Sequence, residues 1–379
     1  MRVALDATPL LGSPTGVATF TAGLLRALAM QPDVDPRAFA LSLRGWRRLA
    51  AVLPDGVPAV RRPLPAGVLS RAWQAQPRPT AERLLGGDLD VVHGTNYVVP
   101  PTTSAGAVVT VYDLTAMRFP EMVEAASLRY PELVRRAVER GALVHVTARA
   151  IGDEVVEMLG VPADRVRVVH SGVDGGEPNT IPGDAERGRR MAGATRYVLA
   201  LGTVEPRKGL PDLVAAFDAM STDDDLGDVG LAIVGPDGWG VDELVAAIDA
   251  SPARRRIRRI GWVGDDDRRD LLAGAAVLAM PSRYEGFGYP PLEAMAAGVP
   301  VVATTAGSLP EVLGDAALLV EPRDIGGLAG ALRTALRSAD AARAATVARG
   351  KAHAASFRWE TCARAMVDLY RDAMDARRT

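Results

Sequence analysis

The stretch PSRYEGFGYPPLEAMAAGVPVVAT, residues 281–304, decides how this chain is read. The apolar run AVLAMPS (276–282) leads into it, a turn built from Gly286, Gly288, Pro290 and Pro291 follows, and an alanine-rich helical run comes next. Strand, glycine loop and helix in that order make one unit of a parallel sheet, whose ligands gather where strands end and helices begin. Two carboxylates flank the loop, Glu285 before it and Glu293 eight positions on. Glycines let a backbone approach a ligand closely, and a carboxylate at Glu293 can accept hydrogen bonds from vicinal hydroxyls such as those of a ribose. Each acid also has a plainer reading: Glu285 as an ordinary loop residue, and Glu293 as a first-turn acid that complements the helix dipole.

The same rhythm runs outward in both directions. RVALDA, VVH, AVVTVYD, LVHVTA and VRVVHSGVD read as strands in the first half, and YVLALG, LAIVG, RIGWVG, AVLAMPS and VPVVAT in the second. Helical patterns such as GVATFTAGLLRALA, AIGDEVVEMLG, GLPDLVAAFDAM, DDRRDLLAGA and PPLEAMAAG fall between them. The strands lack strict alternation, as strands covered by helices on both faces should. Residues 172–196, GVDGGEPNTIPGDAERGRRMAGATR, have the composition of a linker. With 379 residues, too many for one ordinary core, the expectation is two doubly wound α/β domains, 1–178 and 179–356, facing each other across a cleft. The C-terminal segment 357–379 is expected to pack back on the first.

Composition narrows the function classes. The chain is 48% hydrophobic and 24% charged with a formal net charge of -2, which describes a globular protein without the basic bias of a nucleic-acid binder. Its one cysteine, Cys362, rules out an internal disulfide and cysteine-based zinc sites, and it reads as a small core residue. No apolar run approaches the ~20 residues of a membrane span, and no leader pattern opens the sequence, so a cytoplasmic protein is expected. Between residues 44 and 83 eight arginines face only Asp55 and Glu82, with Leu, Val and Trp interspersed. That segment reads either as a solvated face or as a surface for anionic lipid, a peripheral visit to the inner membrane face.

Chemistry concentrates in the second half. In LGTVEPRKGLPDLVAAF (201–217) a strand ends at Gly202, Arg207 and Lys208 sit at the tip of a loop, and Gly209 and Pro211 open a helix. Two cations beside a helix N-terminus suit a phosphate, and a diphosphate is the natural guest.

Taken together these motifs resemble family 4 of the retaining glycosyltransferases. Residues 281–304 look like its E-x7-E signature and GTVEPRKGL like its phosphate-clamping loop; DATPLLGSPTGVATFTAGLLRAL resembles its acceptor-side glycine loop, and FRWETCARAMVDLYRDAM its closing helix. The resemblance spans residues 1 to about 374. It implies the GT-B fold, two Rossmann-like domains, with a nucleotide-sugar donor held mainly by the second and an acceptor by the first. Arg207 and Lys208 would neutralise the departing diphosphate, and Glu285 would contact donor-sugar hydroxyls. Gly16, Val263, Phe287, Gly288, Tyr289, Leu292 and Glu293 would complete the donor site, Glu293 at the ribose and the segment around Val263 at the base. No metal or other cofactor is expected, because two cations can stabilise a leaving diphosphate as Mg2+ does elsewhere.

One departure stands out. The family often carries histidine before the aspartate of VVTVYD, and this chain has Tyr112 before Asp113, a poor proton relay at neutral pH. Tyr112, Asp113, His93 and His170 are expected to line the cleft by position, although His93 and His170 read equally as structural histidines; His145 reads as core. The leading expectation is transfer of a hexose, mannose or glucose, with GDP-mannose favoured, to a glycan, lipid-linked or small-molecule acceptor. A nucleotide-sugar hydrolase or epimerase and a non-catalytic nucleotide-sugar binder are the alternatives. A two-carboxylate glycosidase fits less well, since the glutamates lie beside a phosphate site rather than around a glycosidic bond.

Overall fold

A computed structural model describes residues 1–12, 15–123, 125–174 and 183–378 of the chain. It divides into two compact units: Met1–Gly172 joined by the segment from Phe357 onward, and Val173–Ser356. The expected boundary near residue 180 lies outside the described residues.

The first unit holds a six-stranded sheet of β1 (Arg2–Asp6), β2 (Asp35–Phe39), β3 (Val91–Gly94), β4 (Gly106–Val111), β5 (Leu143–Val146) and β6 (Val166–Val168). The second holds β7 (Arg196–Leu201), β8 (Val229–Val234), β9 (Ile257–Gly261), β10 (Val277–Met280), β11 (Val301–Thr304) and β12 (Leu318–Val320). All pairings are parallel, in the orders β2-β1-β3-β4-β5-β6 and β12-β11-β10-β7-β8-β9. The central strands are buried from end to end, which is why their sequences are continuous apolar runs. In each sheet the strand order turns back beside the first strand, so crevices open at the carboxyl ends of β1 and β3 and of β7 and β10.

Two strands escape the sequence pattern, and both are edges. β2 reads DPRAF and lies at the edge of the sheet, paired with β1 and bridged on its other side at Ala38 to Ala59, a position that tolerates Pro36 because an edge strand has N–H groups that need no ladder partner. β12 is three residues long and partly exposed, too short to show a period. The linker reading of 172–196 is also corrected in its second half. Asp184–Ala192 is a helix, held by the Arg187 guanidinium, which donates to Asp270 at 2.7 and 3.0 Å and contacts Asp184. Its strongly polar sequence hides the helix because charge pairing, not an apolar stripe, attaches it.

The C-terminal helix Trp359–Arg378 lies within the first unit, against β4 and the helix Gly16–Ala29. Glycine makes the fit: a Cβ at Gly23 would come within 2.1 Å of the Trp359 ring, and one at Gly172 within 2.5 Å. Cys362 is buried on this helix, and burial pushes its thiol up to about 12.

A polar chain crosses the core beneath it. The Val169 carbonyl can only accept, so His145 Nε2, 3.1 Å away, carries the proton, and His145 Nδ1 accepts from the Thr110 hydroxyl at 2.9 Å. The Thr110 oxygen then accepts from His93 Nε2–H at 2.7 Å, and His93 Nδ1 accepts from the Tyr370 hydroxyl at 2.8 Å. One carbonyl thus sets every tautomer. Burial holds His93 well below its ordinary value and takes His145 down to about 4.

Candidate active site

The loop after β7 is shaped by backbone constraints. Pro206–Lys208 forms one tight turn, and Gly209, in the left-handed region at φ 61°, launches the helix Leu210–Ser221. A side chain at Gly209 would sit 2.2 Å from the Pro281 carbonyl, so glycine allows this loop to pass directly over the loop that follows β10. The Arg283 N–H donates to the Arg207 carbonyl at 2.8 Å, and the Arg283 guanidinium pairs with Asp212 at 3.2 Å. The two loops belong to neighbouring strands at the point where the sheet order turns back.

At that point Arg207, Lys208 and Glu285 converge. Lys208 Nζ donates to Glu285 Oε1 at 2.7 Å, Ser282 Oγ donates to the same oxygen at 2.6 Å, and Arg207 Nη1 donates to Oε2 at 3.0 Å. Arg207 also reaches the Tyr284 carbonyl at 3.0 Å and Glu205 at 3.3 Å. Ser308 pins the Glu285 carbonyl through its N–H and its hydroxyl, at 3.0 and 3.1 Å. Glu285 is only 5% exposed. Burial alone would raise its carboxyl, but Lys208 and Arg207, with the hydrogen bonds from Lys208 and Ser282, outweigh it and hold it at about 2. Lys208 is drawn down by burial, with Glu285 opposing. Glu285 is therefore a fixed anion, and the two cations already sit in a site that stabilises negative charge.

Around it, Gly288 at φ 105° caps the helix Tyr289–Ala296, and the rings of Phe287 and Tyr289 meet edge to face at 5.1 Å, both buried. Two expectations change. Leu292 is wholly buried, so its side chain belongs to the core and offers a donor no surface. Glu293 lies in the second turn of its helix, past the unpaired amides, so helix-dipole stabilisation does not account for it. Its carboxylate meets the Arg268 guanidinium from the helix Asp265–Gly274. Val263 is half-buried in the short segment between β9 and that helix.

The remaining residues belong to the first unit. Gly16 opens its helix and is exposed. Tyr112 is buried, its ring edge-on to Phe20 at 5.7 Å and to Tyr97 at 6.2 Å. Asp113, half-buried after β4, accepts from the Thr115 N–H at 2.9 Å. His170 is exposed and lies against Phe357. His93 corrects its expectation: it is fully buried with both ring nitrogens bonded, so it is a core residue.

Two residues at this sheet's carboxyl edge escaped the sequence reading. Tyr97 adopts a left-handed backbone at φ 58°, rare for an aromatic residue. Its ring stacks on Tyr130 at 4.9 Å, and its hydroxyl lies 3.2 Å from the Asp113 N–H that donates to it. Asp6, at the end of β1, is buried, which pushes its carboxyl up to about 6 against hydrogen bonds from Thr8. The sequence signal for Asp6 was its place at the end of an apolar strand; for Tyr97 there was none, since only the fold imposes that backbone angle.

Residues 195–338 match the family Glycosyl transferases group 1, and residues 14–175 match Glycosyltransferase Family 4. The O-antigen chain mannosyltransferase B of Escherichia coli is 30% identical over 284 residues, 74% of this chain and 74% of that protein. Among solved structures, sucrose-phosphate synthase from Thermosynechococcus elongatus superposes with a TM-score of 0.76 at 21% identity, covering 99% of this chain and 100% of that one. HepE of Anabaena, solved with UDP-glucose, gives a TM-score of 0.72 at 21% identity over 98% of this chain and 99% of its own. By sequence and by fold, the chain belongs to glycosyltransferase family 4: it is a GT-B glycosyltransferase that uses a nucleotide-sugar donor.

Proposed function

We propose that this enzyme transfers a hexose with retention from a nucleoside diphosphate sugar, GDP-mannose first among donors, to a glycan, lipid-linked or small-molecule acceptor. The observation that carries this is the convergence of Arg207 and Lys208 on Glu285 at the turning point between β7 and β10. Breaking a sugar-phosphate bond builds negative charge on the departing diphosphate, and cations fixed in a shielded site favour that charge most in the transition state. Lys208 and Arg207 take that role, so no metal is required at the diphosphate. Glu285, its two oxygens held by three donors, orients the cations and meets donor-sugar hydroxyls, and Glu293 takes the ribose. The main chain near Val263 takes the base. Mannose is favoured because the Escherichia coli relative is a mannosyltransferase; UDP-glucose, bound by HepE, is the second donor to try.

The test is thermal stabilisation and slow hydrolysis with a panel of nucleotide sugars, for wild type and Arg207→Ala. A donor that raises the melting point and releases its nucleotide only with wild type identifies base and sugar. A wild type that no nucleotide sugar stabilises at millimolar concentration sinks the proposal. Sugar release with inversion at C2 and no need of an acceptor marks an epimerase instead, and binding without turnover on any acceptor marks a sensor.

We further propose that the enzyme visits anionic membrane from the cytoplasmic side. All eight arginines between residues 44 and 83 are exposed, and none pairs with a carboxylate among the described residues. Leu43, Val52 and Val68 are exposed among them. Among the described residues no helix is long and apolar enough to cross a membrane, so contact of this kind would be peripheral.

A further inference from the structure

Arg268 and Glu293 follow different strands, β9 and β10, which the sheet separates by β7 and β8. They meet because the helix Asp265–Gly274 crosses from β9 back to β10. Arg268 lies in the first turn of that helix, directly after the segment that contains Val263, and its guanidinium contacts Glu293 Oε2. The residue that meets the carboxylate assigned to the ribose thus follows closely on the segment assigned to the base. The next residue, Arg269, turns instead to Asp184 and Asp266. Glu293 Oε1 accepts no hydrogen bond among the described residues.

We propose that Arg268 is the positioning residue of the ribose site: it grips Glu293 by Oε2 and thereby presents Oε1, as a carboxylate oxygen, to the ribose hydroxyls of the donor. The proposal rests on the assignment of Glu293 to the ribose. An ion pair kept only for stability gives no such arrangement a purpose, because partly exposed pairs contribute little to stability, and here the side chains are 34% and 22% exposed.

Electrostatics gives Arg268 work to do. Burial raises the Glu293 carboxyl, Arg268 opposes it, and Asp174 and Asp265 add to the rise. The helix Asp340–Ala354 also packs on the helix of Glu293, and it brings Lys351 to Gly298, beyond that helix's end. Arg268 is therefore the cation placed to keep Glu293 ionised. A protonated Glu293 would have one oxygen carrying a proton and would bind a diol less well.

The experiment is calorimetric titration of GDP and UDP, and of their 2′,3′-dideoxy forms, from pH 5.5 to 8.5, into wild type, Arg268→Met, Arg268→Lys and Glu293→Gln. For the preferred nucleotide, Arg268→Met should weaken binding about 10-fold at pH 7, the scale of a lost hydrogen bond to a charged group. The loss should deepen toward pH 5.5, and Arg268→Lys should recover most of it. Glu293→Gln should weaken binding at every pH, and adding Arg268→Met to it should change nothing more. The dideoxy nucleotide should bind wild type about 10-fold more weakly and ignore both substitutions.

If Glu293→Gln and the dideoxy nucleotide bind as well as their references, the ribose assignment falls and the inference falls with it. If Glu293→Gln weakens binding while Arg268→Met does not, the positioning role alone is overturned. A loss in Arg268→Met that is the same at every pH and adds to that of Glu293→Gln also overturns it, since Arg268 would then touch the nucleotide itself. Should Arg268→Met not fold, Arg268→Gln takes its place, and the wild-type comparison of ribo and dideoxy forms across pH still decides: a difference that does not narrow on acidification defeats the proposal.

Discussion

At the residue scale, the site is a contest between burial and charge. Lys208 is drawn down by burial, with Glu285 opposing, and on the proposed mechanism it would stand ready for a leaving diphosphate before reaction. Lys208→Ala should lower kcat by about 100-fold or more, the scale of losing one preorganised donor at a developing anion. Single-turnover rates check it, and an unchanged rate would remove Lys208 from the mechanism. Glu285 carries the complementary prediction. Its carboxyl is held at about 2 against an ordinary 4.5, so its pairing contributes stability that is complete above pH 4.5 and is lost as pH falls toward 2. Urea midpoints of the wild type should fall across that window, and Glu285→Gln should flatten the fall while starting from a lower midpoint, because it leaves two buried cations short of an anion. A wild-type midpoint as high at pH 3 as at pH 5 would contradict it.

At the element scale, the C-terminal helix is tied to the first sheet by a chain whose every proton is placed. Tyr370 supplies its first donor and Val169 its last acceptor. Tyr370→Phe leaves a buried imidazole nitrogen unsatisfied and should cost about 1–3 kcal/mol of stability, measurable as a shift in denaturant midpoint without a change in slope. The two histidines add an acid sensitivity. Both are held below their ordinary 6.5 by burial, so the unfolded chain binds more protons, and stability should decline as pH falls from 6.5 toward 4. This window opens at 6.5, above the 4.5 at which that of Glu285 opens, so a fall in stability between those two values belongs to the histidines. The elements also show where sequence patterns lose force. The helix Gly16–Ala29 was legible to the residue, whereas Asp184–Ala192, attached through Arg187 and Asp270, resembled a linker because no apolar face marks it.

At the scale of the whole molecule, charge is distributed unevenly. Elsewhere arginine is commonly neutralised, as at Arg187, Arg283, Arg333 and Arg337, while the eight between 44 and 83 are exposed and pair with no carboxylate among the described residues. The Leu64 N–H donates to the Ser42 carbonyl at 3.2 Å, which holds the segment of Arg61 and Arg62 alongside the one that leads to Arg44. Because each basic residue near an anionic surface is worth about 1 kcal/mol, reversing Arg44, Arg47 and Arg48 to Glu should weaken binding to vesicles rich in phosphatidylglycerol by roughly 100-fold. Co-sedimentation measures it, and equal binding to neutral vesicles would refute membrane attraction. Much of the architecture was written locally: alternating apolar runs and helical periods determined two parallel sheets, and the adjacent Arg207 and Lys208, with the glycine loop between Glu285 and Glu293, pointed to the two loops that the structure brings together as the candidate site. Such signals span a few residues and depend on neighbours in the chain, so one sequence suffices to reveal them. Edge strands with a proline or only three residues, the burial of His93, the angle of Tyr97, and the pairing of Arg268 with Glu293 were decided by the tertiary structure alone. Strand order and helix crossings bring together residues with no spacing rule between them, and burial then sets which carboxyls, imidazoles and cations keep their charge.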